Sequence, residues 1–72
     1  LNNNMILRKL KIALDLKTDD ILDLFAIIDK KISKHELSAF FRNSDHKSYQ
    51  PFKDQYLRNF LNALQTKHKN SL

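Results

Sequence analysis

Histidines at positions 35, 46 and 68 are the residues of this chain best suited to holding a metal or moving a proton. A structural zinc site needs four converging ligands, normally His or Cys in closely spaced pairs. No two of these histidines lie one helical turn apart, and the chain has no cysteine. They read as solvated imidazoles, and no metal is expected. Asp19, Asp20 and Asp23 form an acidic cluster. The first two sit where a helix should begin, and carboxylates there complement the partial positive charge of the helix N-terminus. Asp23, one turn on, is expected to face water. Ser33 and His35 are near neighbours, but Ser33 also opens a Ser-x-x-Glu capping box with Glu36, which commits its hydroxyl to a backbone N–H. A chain without glycine cannot build a glycine-rich phosphate loop. The residue types that do chemistry thus form no catalytic constellation. The chain is expected to be no enzyme and to carry no cofactor.

The balance of charge points instead to binding. Thirteen Lys and Arg against eight Asp and Glu give a net charge of +5, which favours anionic partners such as nucleic acid, acidic protein faces or anionic lipid. The same charge also serves plain solubility. With 72 residues there is room for one domain over positions 1–72, near the lower limit for a single core with no disulfide to staple it. The hydrophobic share of 42% is too high for a disordered chain and must supply that core. No apolar run approaches a membrane span, and Met5-Ile6-Leu7 is too short for the hydrophobic part of a secretory signal. The lack of cysteine fits a reducing compartment but does not establish one, since cysteine-free secreted proteins exist. The chain opens at Leu1 rather than Met, which suggests a piece of something longer.

The elements that would position any binding residues are helices. Hairpin turns lean on glycine, which is absent, and Pro51 is the lone proline, so an all-α bundle of four main helices, with room for a short fifth, is expected. Ile6, Leu7, Leu10, Ala13 and Leu14 recur at helical spacing, with Asn3 or Asn4 as the cap and an end near Leu16. Thr18 should cap a second helix carrying Ile21, Leu22, Leu24, Phe25 and Ile28 inward. Ser33 should cap a third, with Leu37, Phe40 and Phe41 buried and an end near Arg42. Residues 43–50 read as a loop. Pro51 suits the first position of a final helix, whose stripe is Phe52, Tyr56, Phe60, Leu61 and Leu64, with Leu57 and Ala63 at its edges. The tail 66–72 should fray.

The middle of the chain is similar to a helix-turn-helix. Phe25-Ala26 matches the apolar-Ala pair of that motif's first helix, and Ile32, Leu37 and Phe40 match the apolar positions of its second. In the phage-repressor class that second helix enters the major groove with its N-terminal residues on base edges. Here Lys34, His35 and Ser38 would do so, while Lys30, Lys31, Arg42 and Lys47 would contact phosphates and make DNA affinity salt-dependent. The motif's turn glycine is missing, the turn is about one residue too long, and three carboxylates open its first helix. Similar crossings also arise in bundles for packing reasons alone.

With these residues in hand, the chain resembles a family of bacterial proteins of unknown function, the YehS-like proteins. The likeness rests on Asn2-Asn3-Asn4 followed by Leu7 to Ala13, on Leu16-Lys17-Thr18-Asp19-Asp20-Ile21-Leu22, on Asp45-His46-Lys47, and on Asp54 to Leu61. It implies a bacterial cytoplasmic protein with two tandem copies of this domain, of which this would be the second. It brings no catalytic residues with it. An absent sister domain would leave apolar surface uncovered, and Tyr49, Phe52 and Tyr56 are the candidates for that protein interface. The domain would then dock its twin, another protein or a copy of itself. A third reading lays the first helix, with Arg8, Lys9 and Lys11, on anionic lipid; its stripe is needed more for the core.

Overall fold

The computed structural model describes residues 2–71, with side chains described through His68. The described residues form four helices and no strand: α1 (Asn3–Ala13), α2 (Thr18–Ile27), α3 (Lys34–Phe40) and α4 (Asp54–Ser71). The all-α bundle read from the sequence is what the chain builds. A fifth helix is not among the described elements; residues 41–53 cross from α3 to α4 through turns.

The first three helices begin on a polar side chain, although the capping residue is often not the one expected. Asn2, rather than Asn3 or Asn4, caps α1 by accepting from the Met5 N–H at 2.9 Å. Thr18 is the first residue of α2 and not its cap. The Asp20 carboxylate instead reaches back to accept from the Lys17 N–H at 2.8 Å. Only α3 starts as the sequence demands. The Ser33 hydroxyl accepts from the Glu36 N–H at 3.0 Å, and the Glu36 carboxylate accepts from the Ser33 N–H at 3.2 Å.

Helix ends show how a chain without glycine turns. Asp15 and Asp29 follow α1 and α2 with φ of 52° and 59°. In both places the next residue donates back across the turn, Leu16 to the Lys11 carbonyl and Lys30 to the Phe25 carbonyl, each at 2.9 Å. This is the Schellman arrangement, which normally uses Gly. A short acidic side chain tolerates the left-handed region better than a branched one. α1 therefore stops at Ala13 and not near Leu16.

The core gathers Leu7, Ile21, Leu24, Phe25, Leu37, Phe40, Phe52, Phe60 and Ala63. α2 packs on both α3 and α4, and α1 packs on α4. Phe52 lies at its centre. Its ring meets Phe40 edge-on at 4.9 Å and Phe25 edge-on at 6.5 Å, and stacks near Tyr56 at 5.9 Å. The final helix begins at Asp54, three residues beyond Pro51, and the Phe52 N–H ahead of it donates to the Asn4 side chain at 2.8 Å. Along α4, Ala63 is fully buried and Leu61 is half exposed, the reverse of the expected order. α4 continues through the segment expected to fray, with no Pro or Gly to stop it; Leu72 lies outside the described residues.

A candidate nucleic-acid interface between the first and third helices

The site begins from a buried polar anchor. Asn4, near the start of α1, is 9% exposed and spends its whole amide on the backbone. Its Nδ2 donates to the carbonyls of Phe40 and Gln50, both at 2.9 Å, while its Oδ1 accepts from Phe52. One side chain thus ties α1 to the end of α3 and to the strap that leads into α4. Asn3 adds a bond from its Nδ2 to the Asp54 carboxylate at 2.6 Å. These bonds set the spacing of α1 and α3 and hence the shape of the surface between them.

Further along α1 the polarity reverses. Met5 and Ile12 stand 47% and 72% exposed, and Leu14 just beyond α1 is 50% exposed. Ala13 is exposed too, so the stripe expected to be buried ends at Leu10. Between α1 and α3 lies a cleft of about 550 Å³. Its walls carry Arg8, Lys11 and Ile12 from α1, Thr18 from α2, Leu37 and Ser38 from α3, and Phe41 and Arg42 just after α3. None of these lining residues carries a carboxylate. Arg8 is held in place, its guanidinium donating to the Phe41 carbonyl at 2.6 Å. The Lys11 ammonium lies 6.0 Å from the centre of the Phe41 ring, within reach of its negative face. The result is a cationic rim around a partly exposed apolar floor.

The residues expected to touch DNA do not gather in one place. Ser38 and Arg42 line the cleft beside Arg8 and Lys11. His35 lines a second groove on another side of α3, with Glu36, Phe40, Pro51 and Tyr56. Lys30 and Lys31 are exposed in the connection before α3, Lys34 in its first turn, and Lys47 in the loop that follows it. The helices of the motif are present, but Ile28–Ser33 between them is longer than the usual three- or four-residue turn. Of the three aromatics expected at a protein interface, Phe52 is 1% exposed and belongs to the core. It cannot serve a docking face, because its ring is enclosed by Phe25, Phe40 and Tyr56. Tyr49 and Tyr56 remain partly exposed. Arg8, Lys11 and Ile12 are the additions the structure makes to the expected set. Their signal in the sequence is the run of cations interleaved with the α1 stripe.

Among the described residues, no group of three or more acidic or histidine side chains could hold a metal, and no helix is long and apolar enough to cross a membrane. The fold and the cleft define a small helical domain with a cationic surface. The chain belongs to the family of proteins of unknown function designated DUF1456, which matches residues 3–69. It is 45% identical over 64 residues to the uncharacterized protein YehS of Escherichia coli (strain K12). That match takes in 89% of this chain and 41% of the relative, so the chain spans less than half the length of the protein it resembles. No solved structure matches it.

Proposed function

We propose that this chain is a non-catalytic domain that binds nucleic acid, DNA foremost, through the exposed side of α3 and the cations beside it. The observation that carries this reading is the convergence of Arg8, Lys11 and Arg42 on one cleft lined by no carboxylate. Lys30, Lys31 and Lys34 extend the positive surface toward the start of α3, and all three are exposed. Phosphate oxygens are the natural partners of such a surface, and each neutralised phosphate releases counterions, so affinity must fall steeply with salt. In the helix-turn-helix version of this reading, Lys34, His35 and Ser38 meet base edges in the major groove. The two-turn length of α3 and its long approach favour backbone contact over deep insertion. Such a role belongs in the cytoplasm.

The test is a titration of the labelled chain with random-sequence duplex DNA at two salt concentrations, followed by backbone amide NMR. Shifts clustered on Arg8, Lys11, Lys30, Lys31, Lys34, His35, Ser38 and Arg42, lost at the higher salt, are the expected result. An unchanged spectrum at low salt sinks the reading.

A second reading is supported by the exposed pair Met5 and Ile12, seven residues apart on one face of α1, beside a groove that Tyr49 also lines. Here the domain docks a sister domain or a second copy through Tyr49 and that face, with Tyr56 on a separate groove. Sedimentation over a range of concentrations separates the two, since a chain that stays monomeric and binds DNA fits the first.

A further inference from the structure

We infer that the cleft between α1 and α3 takes a single-stranded nucleic acid, with a base laid against Phe41 and Ile12 and the flanking phosphates on Arg8, Lys11 and Arg42. This rests on the nucleic-acid reading above and narrows it to a strand type.

The cleft floor is mismatched to a duplex. In a duplex the bases are stacked inside and phosphates face outward, so a purely cationic ridge would serve and apolar surface between the cations would gain nothing. Here the cations surround Ile12, 72% exposed, and the half-buried Phe41 ring. A positive groove that tracks the backbone, with an aromatic face for stacking, is the arrangement that holds unpaired strands. The cleft is open and leaves about 550 Å³ of space between its walls, room for a base that stays partly in water. Lys11 now lies over the Phe41 ring at 6.0 Å. A stacked base takes that place and the ammonium moves to a phosphate, which trades one cation contact for another. Arg8 is braced on the Phe41 carbonyl and so presents its remaining N–H groups in a fixed direction. The Ser38 hydroxyl, on the α3 wall, can bond a base edge or a sugar. An acidic peptide would satisfy the cations but would leave the aromatic face without its stacking partner.

Fluorescence anisotropy with a labelled oligothymidylate of about twelve nucleotides, and a duplex of equal length, tests the assignment. The expected result is tighter binding of the single strand by roughly tenfold at equal salt. Phe41→Leu keeps an apolar side chain but removes the ring face. It should weaken the single strand by roughly fivefold or more and leave the duplex unchanged. Ile12→Ser alters a highly exposed residue and should lower single-strand affinity in the same direction, so it supplies the same comparison if Phe41→Leu does not fold. Equal affinity for both strand types, with neither variant affecting either, overturns the cleft assignment while leaving nucleic-acid binding intact. Absence of binding to both at low salt overturns the assignment together with the reading beneath it. A dimer that Ile12→Ser dissociates also overturns it, by giving the cleft to a second copy of the chain.

Discussion

Asn4 and Ile12 lie on the same helix, about 12 Å apart along its axis, and they invert the ordinary rule of burial. The amide is 9% exposed and the aliphatic side chain 72% exposed. At the Asn4 end, the buried amide has a partner for both its nitrogen and its oxygen, and among the described residues no buried side-chain nitrogen or oxygen lacks one. At the Ile12 end, apolar surface stays in water among cations, which contributes nothing to folding. The first region holds the fold together at one point. The second is where the fold leaves material over. The difference shows that the polarity of a residue does not reveal whether a helix face is structural; the partners available to it do.

Removing the anchor should have one of the two largest effects. Asn4→Ala leaves the carbonyls of Phe40 and Gln50 and the N–H of Phe52 without the amide that bonds them. The expected loss is about 3 kcal/mol or more, a large part of the stability of so small a domain. Urea denaturation followed by circular dichroism reads it directly. A loss below about 1 kcal/mol would mean that water reaches these groups, and the contrast between the two ends of α1 would collapse. Asn3→Ala, which removes an exposed bond to Asp54, is the matched control and should cost about 0.5 kcal/mol or less.

Phe52 and Tyr49 sharpen the same contrast in the strap between α3 and α4. Both are aromatic, and both suit a docking face when only the sequence is considered. Phe52→Ala should cost about 3 to 5 kcal/mol, because its ring fills the centre of the core. Tyr49→Ala should cost about 1 kcal/mol at most, since the ring stays partly in water. Comparable losses at the two positions would place Tyr49 in the core as well.

Legible in the sequence is whatever depends on neighbours along the chain. The four helices follow from apolar spacing, and the Ser33–Glu36 box follows from two residues three apart. Ser33→Ala is accordingly expected to lower stability by about 1 kcal/mol in a thermal melt, a smaller effect than the loss of Asn4 or Phe52. The residues that escape depend on partners far along the chain. Asn4 looks like one cap candidate among three asparagines, and nothing local marks it as bonded to positions 40, 50 and 52. Phe52 reads as part of a helix stripe because Pro51 is a good first helical residue, yet that same long-range bond holds it in the strap. Of the candidate site, the cations on and around α3 are visible in the sequence. The cleft is not, since it exists only when α1 is laid beside α3. Asp29 is legible as part of a polar break in a chain that must turn without glycine, but the positive φ of Asp15 and Asp29 is not, because the chain uses aspartate where glycine is usual. Asp15→Gly should stabilise by about 0.5 kcal/mol, the gain at positive φ being partly offset by greater freedom in the unfolded chain.

The smallest effect on stability is expected where the proposed function is concentrated. Ile12→Ser exchanges residues of similar helix propensity at an exposed position, so its unfolding free energy should stay within about 0.5 kcal/mol of the parent. Lys11→Gln should behave alike, losing only a cation contact at 6.0 Å to the Phe41 ring. Such neutrality is informative when set beside binding. A residue that folding does not need, whose replacement nonetheless weakens oligonucleotide binding, acts through contact with the ligand and not through the shape of the domain. If Ile12→Ser instead destabilises by more than about 1 kcal/mol, Ile12 is packed in solution and the cleft closes over it. Both ends of α1 would then serve the fold.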